Sequence, residues 1–264
     1  MLTQTQQRQY LERLGIPEAK APTPEFLDEL VYAHQTHVPF ETLGVHRRDD
    51  VPDLDLDSLF TKVVLENKGG YCFELNKLFE ALLVSLGFDA YPVLSRAVRG
   101  REGRMPINHR GMLVDFDDGI RSADVGFGGP MPAGSILLDT ETEQSVRGET
   151  YITKDLGNGW WSIDRITQAG QDLHDDNLPA RRQTELELCT TPVEDLDFGA
   201  LNLFCAQPGT LFRDHDVINL RTEHGYKGYK DGVLTIRENG AKTVQELNEA
   251  ETAATLKEHF GLEY

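Results

Sequence analysis

Cysteine is scarce in this chain, with three in 264 residues, Cys72, Cys189 and Cys205. Three thiols cannot all pair, and they show neither a CxxC spacing nor a disulfide framework; this excludes a cysteine-stapled secreted domain and points to a reducing compartment. Also missing is any run of about 18 apolar residues that would span a bilayer. The opening MLTQTQQRQY lacks the basic-then-apolar layout of a secretion signal. The expected location is the cytoplasm, with no membrane partner. Lysine is sparse as well, 9 against 17 arginines, and 44 acids outnumber 26 bases for a net charge of −18. Such a field repels polyanions, which excludes non-specific nucleic-acid binding and requires any anionic cofactor to find a local positive patch. Acidic clusters such as RRDDVPDLDLD and HDDN read either as solvated surface or as adaptation to high salt.

What is present is a folding composition, 39% apolar with 12 Phe, 8 Tyr and 2 Trp, at a length that suits one body of two or three subdomains. Thr23-Pro24-Glu25 reads as a helix start, followed by Phe26, Leu27, Leu30 and Val31 at helical spacing. Asp57 is expected to cap a second helix bearing Leu59, Phe60, Val63 and Val64. A third is expected from Cys72, with Leu75, Leu78, Phe79, Leu82 and Leu86 on one face and Gly87 as its left-handed end. Beyond Gly87 the pattern changes to short β-branched and aromatic stretches between turns: FDAYPVLSRAV, RGMLVDF, GIRSADVGF, SILL, ETYITKD and GWWSIDRI. These predict a sheet or barrel running to about residue 190. A further strand, DGVLTIRE, and a last helix opened by a Thr243/Glu246 capping box and closed near Gly261 complete an α+β chain.

The stretch KGGYCFELNK, residues 68 to 77, sets a thiol at a helix N-terminus behind two glycines. The glycines permit a tight turn and leave space beside the sulfur, and the helix end offers free amide donors and partial positive charge. Such a setting lowers a cysteine pKa from about 8.5 toward 3.5–7.5. The competing reading is a buried structural thiol, and it is the one kept for Cys189 and Cys205. A nucleophilic cysteine needs a base, and INHRGMLVDFDDGIRSADVGFGGP supplies one. If Asp117-Asp118 form a two-residue turn, Phe116 pairs with Gly119 and Asp124 stands opposite Gly111. His109 then lies one diagonal step away on the same face, within reach of an imidazole–carboxylate hydrogen bond. A three-residue loop would part them, leaving a polar strand histidine and a turn acid. His34, His37 and His46 complete no ligand set of known spacing, so no metal is expected.

In order and spacing, KGGYCFELN, HVPFETLGVH at 37 to 46, His109 ahead of MLV, and DVGFGG at 124 to 129 resemble the arylamine N-acetyltransferase family. DLDFGALNLFCAQPGTLF at 195 to 212 is similar to that family's link into its last subdomain. The resemblance implies an N-terminal helical bundle (1–86), a central β-barrel (87–195) and a C-terminal α/β lid (196–264) around a cysteine-peptidase-like core. It implies Cys72 as acyl-accepting nucleophile, His109 as proton acceptor and later donor, and Asp124 as the group that orients and balances the imidazolium. The implied reaction is ping-pong transfer of acetyl from acetyl-CoA to an arylamine or hydrazine. Phe40, Val98 and Phe127 correspond to the acceptor pocket; Met105, Pro106, Ile107, Asn108 and Gly128 correspond to coenzyme-A contacts, with Arg99, Arg101 and Arg104 as nearby cations. One departure is Lys68, where the family usually carries Arg; an ammonium cannot make the same forked ion pair. The same triad suits an acyltransferase with a longer acyl chain, including intramolecular amide closure of a polyketide, or a cysteine hydrolase or transglutaminase-like enzyme.

Overall fold

The computed structural model describes residues 1–48, 50–129, 131–139, 142–169 and 179–263. Its first third is helical: α1 (Gln4–Arg13), α2 (Pro24–His37), α3 (Leu43–Arg48), α4 (Leu56–Phe60) and α5 (Cys72–Ser85), with a two-residue strand β1 (Phe40–Glu41) between α2 and α3. The Thr23 hydroxyl accepts the Phe26 amide, and Pro24 opens α2 as the sequence indicates. The α4 cap is Asp55 rather than Asp57: its carboxylate accepts the Asp57 and Ser58 amides and leaves Asp57 in the first turn. The helix then widens into a π-helical turn over Thr61–Leu65. Leu75, Leu78, Phe79 and Leu82 are fully buried along α5, and Gly87 beyond its end has φ +92°.

Eight strands follow: β2 (Asp89–Ala97), β3 (His109–Phe116), β4 (Gly119–Ser122), β5 (Ile136–Leu137), β6 (Gln144–Val146), β7 (Glu149–Gly157), β8 (Trp160–Thr167) and β9 (Arg181–Pro192). Among the described residues they form one antiparallel sheet in the order β5-β4-β3-β2-β9-β8-β7-β6. The sheet curls until its two ends meet. The Gln144 side chain mimics a strand there, donating to the Leu137 carbonyl and accepting the Leu137 amide, both at 2.8 Å. Thr153 accepts the Asp139 amide at 3.1 Å beside it. The interior is filled by Val93, Leu113, Tyr151, Ile163, Leu186 and Leu188, while α5 packs against β2 and β3.

Helices α6 (Phe198–Cys205) and α7 (Leu211–Asp214) lead to β10 (Val217–Thr222), β11 (Gly225–Lys230), β12 (Val233–Glu238), β13 (Ala241–Glu246) and α8 (Glu249–Phe260). The second sheet runs β1-β10-β11-β12-β13, so Phe40 and Glu41 belong to the sheet of the C-terminal strands. The last helix starts later than the Thr243/Glu246 signal indicates. Those residues lie on β13 and pair with Ile236 and Val233 of β12, and the capping box is Asn248 with Glu251. Two signals of one type lie five residues apart, and the pairing of β12 with β13 claims the first. Asp53 in the acidic stretch is also engaged, accepting the Asp55 amide and the Ser58 hydroxyl; Asp49 and the HDDN stretch lie outside the described residues. Among the described residues no helix is long and apolar enough to cross a membrane.

Asn248→Ala is expected to cost about 1 kcal/mol through loss of the cap, lowering the melting temperature by roughly 2–4 °C. Thr243→Ala on the exposed strand should stay within about 0.5 kcal/mol. Thermal melts of the two variants check this, and the reverse order would restore the earlier helix start.

Candidate active site

Cys72 is the first residue of α5 and is 2% exposed. The strand pairing that brings a base to it follows the two-residue turn: Phe116 pairs with Gly119 and Leu113 with Ser122, and the Ala123 amide reaches the Met112 carbonyl. Beyond that point β4 leaves β3, and the freed edge of β3 turns to α5. The Arg110 amide meets the Cys72 sulfur, as does that of Phe73. The Arg110 carbonyl accepts Asn76 Nδ2 at 2.6 Å. His109 and Asp124 end face to face, with 2.5 Å from Nε2 to Oδ2, both side chains buried.

Asp124 is held from several sides. Its Oδ1 accepts Asn76 Nδ2 at 3.0 Å and the Gly126 amide at 2.8 Å. Asn76 Oδ1 accepts the Val125 amide at 2.9 Å. Gln35 of α2 donates to the Asp124 and Pro132 carbonyls, and Arg221 of β10 donates to Gln35 Oε1 at 2.9 Å. Neither Asn76 nor Gln35 stands out in the sequence reading. The signal for Asn76 was a polar residue one turn beyond Cys72 on an otherwise apolar face.

Glycines let these elements touch. A Cβ on Gly126 would lie 2.8 Å from the Cys72 Cα, so the space beside the nucleophile's backbone comes from this glycine. Neither Gly69 nor Gly70 has a positive φ. A Cβ on Gly69 would strike the Pro39 carbonyl and the Glu41 side chain, and one on Gly70 would press on Glu74. They serve close approach to the Pro39 carbonyl and to the Glu41 and Glu74 side chains.

Burial pushes the Cys72 thiol up, with Cys205 and Asp124 adding to the rise against the Arg110 and Phe73 amides that hold it down. The helix end therefore does not by itself produce a thiolate, contrary to the sequence expectation. Burial likewise pushes Cys205 up to about 11, and its Sγ lies 3.7 Å from the Asn108 carbonyl oxygen.

The Phe127 ring stands edge-on to His109 with centroids 5.7 Å apart. Arg99 lies 4.5 Å over the same ring and donates to the Phe127 and Gly128 carbonyls. Phe40, Phe127 and Gly128 border a cavity of about 420 Å³ that extends between Gln35, Arg221 and Tyr226. Val98 is buried but does not line it. Met105, Pro106 and Ile107 also lie away from it, and Asn108 accepts the Ala97 amide with its side chain. The histidines considered for a metal are each engaged elsewhere: His34 with the Tyr10 hydroxyl, His37 with the Ala33 carbonyl, His46 with the Arg213 carbonyl. Burial pushes the His34 pKa down to about 3. Among the described residues no three His, Cys, Asp or Glu converge on a metal-sized site.

A family profile described as N-acetyltransferase matches residues 23–264. An arylamine N-acetyltransferase / N-hydroxyarylamine O-acetyltransferase of Salmonella typhimurium is 33% identical over 177 residues, which is 67% of this chain and 63% of the relative. That alignment thus spans less than two thirds of the relative's length. The solved structure of an arylamine N-acetyltransferase from Salmonella typhimurium superposes with a TM-score of 0.88 at 27% identity, covering 99% of this chain and 92% of the other. That of Mycobacterium marinum arylamine N-acetyltransferase in complex with CoA gives 0.84 at 26% identity, covering 96% and 91%.

Asn76→Ala would leave the Asp124 Oδ1, the Arg110 carbonyl and the Val125 amide each short of a partner. A cost of roughly 2–4 kcal/mol in urea unfolding is expected, together with slower alkylation of Cys72. A cost below about 0.5 kcal/mol would show that Asn76 is dispensable to the site.

Proposed function

Since the chain belongs to the arylamine N-acetyltransferase family, we propose that it moves an acetyl group from acetyl-CoA to the nitrogen of an arylamine or arylhydrazine through an acetyl-cysteine at Cys72. The observation that carries this reading is the buried His109–Asp124 hydrogen bond on the strand edge that faces the Cys72 helix end. The thiol passes its proton to His109, and Asp124 balances the imidazolium that forms. The thiolate attacks the thioester carbonyl, a carbon–sulfur bond forms at Cys72, and the coenzyme A thiolate leaves with the proton returned by His109. An arylamine nitrogen then attacks the acetyl-cysteine and loses its proton to His109. Amide is released and the thiol is restored. Backbone amides at the start of α5 are assigned the developing oxyanion. Thioester exchange is nearly isoenergetic because both sulfurs are alike, and amide formation draws the sequence forward.

The acceptor ring is assigned to the cavity bordered by Phe40 and Phe127, where the Phe127 ring against His109 would bring a bound amine beside the base. Burial of Cys72 keeps bulk water from the intermediate, which favours amine over hydrolysis. The division into 1–86, 87–195 and 196–264 is kept as the working domain assignment, and the cytoplasm as the working location, a compartment in which Cys72, Cys189 and Cys205 would stay free thiols.

Mass spectrometry after mixing with acetyl-CoA is expected to find one added acetyl group, on Cys72, which an arylamine then removes as the amide. Cys72→Ala should lose both steps by about 10³-fold or more, while Cys189→Ala and Cys205→Ala keep them. Label on Cys189 or Cys205, or rapid p-nitrophenyl ester turnover without amine, would replace this reading with a different nucleophile or a hydrolase.

A further inference from the structure

We infer that Lys62 is a positioning residue for the nucleophile, the cation that fixes the Cys72 helix end in place of Lys68. The inference rests on Cys72 being the nucleophile. Lys68, directly before the double glycine, pairs with half-exposed Glu66 at 2.7 Å. Lys62, exposed to the same degree, instead pairs with two buried carboxylates. Its Nζ lies 2.8 Å from Glu74 Oε1 and 3.1 Å from Glu41 Oε1. Both carboxylates are buried, Glu41 at 1% and Glu74 at 2% exposure.

Each carboxylate uses its second oxygen to fix backbone at the site. Glu74 Oε2 accepts the Tyr71 amide at 3.0 Å, one residue before Cys72. Glu41 Oε2 accepts the Leu43 amide at 2.7 Å. The chain segments that carry them are clasped to each other: Phe40 and Gly70 form a parallel bridge, and the Glu41 amide donates to the Gly70 carbonyl at 2.8 Å. Gly69 and Gly70 are the residues that let Glu41 and Glu74 come so near. Two buried carboxylates around one clasp repel each other, and a cation between them turns that repulsion into a bridge. Lys62 sits on the π-helical turn Thr61–Leu65, and π-turns often mark functional segments because the widened turn re-aims a side chain. The bridge therefore joins α5, β1 and the π-turn at the residue pair Tyr71-Cys72. It touches no reacting atom, so its effect is on where the sulfur and the first amides of α5 stand.

The test compares Lys62→Met, Lys62→Arg and Lys68→Met. Circular dichroism and melting report folding, iodoacetamide trapping at pH 7 reports Cys72 reactivity, and steady-state kinetics report transfer. In Lys62→Met, kcat and the alkylation rate should fall by about 10- to 100-fold, with KM for acetyl-CoA within about twofold, as expected for a displaced reacting group. Lys62→Arg should restore most of the loss, because a guanidinium can bridge both carboxylates. Lys68→Met should match the parent. If Lys62→Met does not fold, the triple variant Glu41→Gln, Lys62→Met, Glu74→Gln strands no charge and should show the same loss. A folded Lys62→Met or triple variant with parental alkylation and kcat would overturn the inference. Alkylation needs no acetyl-CoA. A parent that alkylates normally yet transfers no acetyl would refute the proposed reaction while still judging Lys62.

Discussion

The carboxylate of Asp124 is the constraint on which the rest of the site depends. It has two oxygens and faces three donors. One oxygen is taken by Asn76 and the Gly126 amide, which leaves the other to His109. Asn76 comes from α5, Gly126 from the loop after β4, and His109 from the start of β3, so one side chain fixes the relative placement of helix, loop and strand. A buried carboxylate left short of donors is costly, which makes this placement cooperative: losing one donor loosens the other two. The same network reaches the C-terminal sheet through Gln35 and Arg221, so β10 bears on the backbone of the acid that orients the base.

That placement decides the chemistry of Cys72. A thiol in a dry setting beside an anion and a second thiol is harder to ionise, and burial outweighs the two amides that reach its sulfur. The helix end alone therefore does not favour the thiolate. Proton transfer to a partner balanced by Asp124 is what remains, and it needs His109 locked in one orientation with Nε2 toward the carboxylate. Dryness hinders ionisation, and it also spares an acyl-cysteine from water.

Much of this was legible in the sequence because it follows from local rules. The two-residue Asp117-Asp118 turn sets the β3–β4 register, though the ladder ends at Leu113 and Ser122, so Asp124 reaches His109 from the loop after β4 and not from a position paired with Gly111. The α5 stripe and Gly87 gave the nucleophile's helix. What stayed hidden depends on long-range partners. In strand β9 the buried Leu186 and Leu188 alternate with Glu187, but a bulge at Glu185 turns that carboxylate to Arg165 at 2.9 Å inside the curled sheet and breaks the pattern after two apolar positions. Strands β10 and β11 are short and half-buried, β13 is exposed along its length, and the second sheet borrows its edge strand from residues 40 and 41. Lys62 lies twelve residues before Glu74, and no spacing rule for a regular helix brings it to two carboxylates. Val98 and the segment 105–108 are not among the residues that border the cavity beside Phe40 and Phe127.

The most direct test of the arrangement is the thiolate absorbance of Cys72 near neutral pH in the parent and in Asp124→Asn. Because the position of Oδ1 accepts from Asn76 and Gly126, an asparagine must keep its oxygen there and turn its amide nitrogen toward His109 Nε2. The amide NH2 can only donate, so His109 Nε2 would have to accept, which leaves the proton on Nδ1 and disfavours imidazolium. The expected result is a folded variant whose thiolate signal at pH 7 is lost and returns only at much higher pH. A folded Asp124→Asn with the parental thiolate signal would contradict the central role given to this carboxylate.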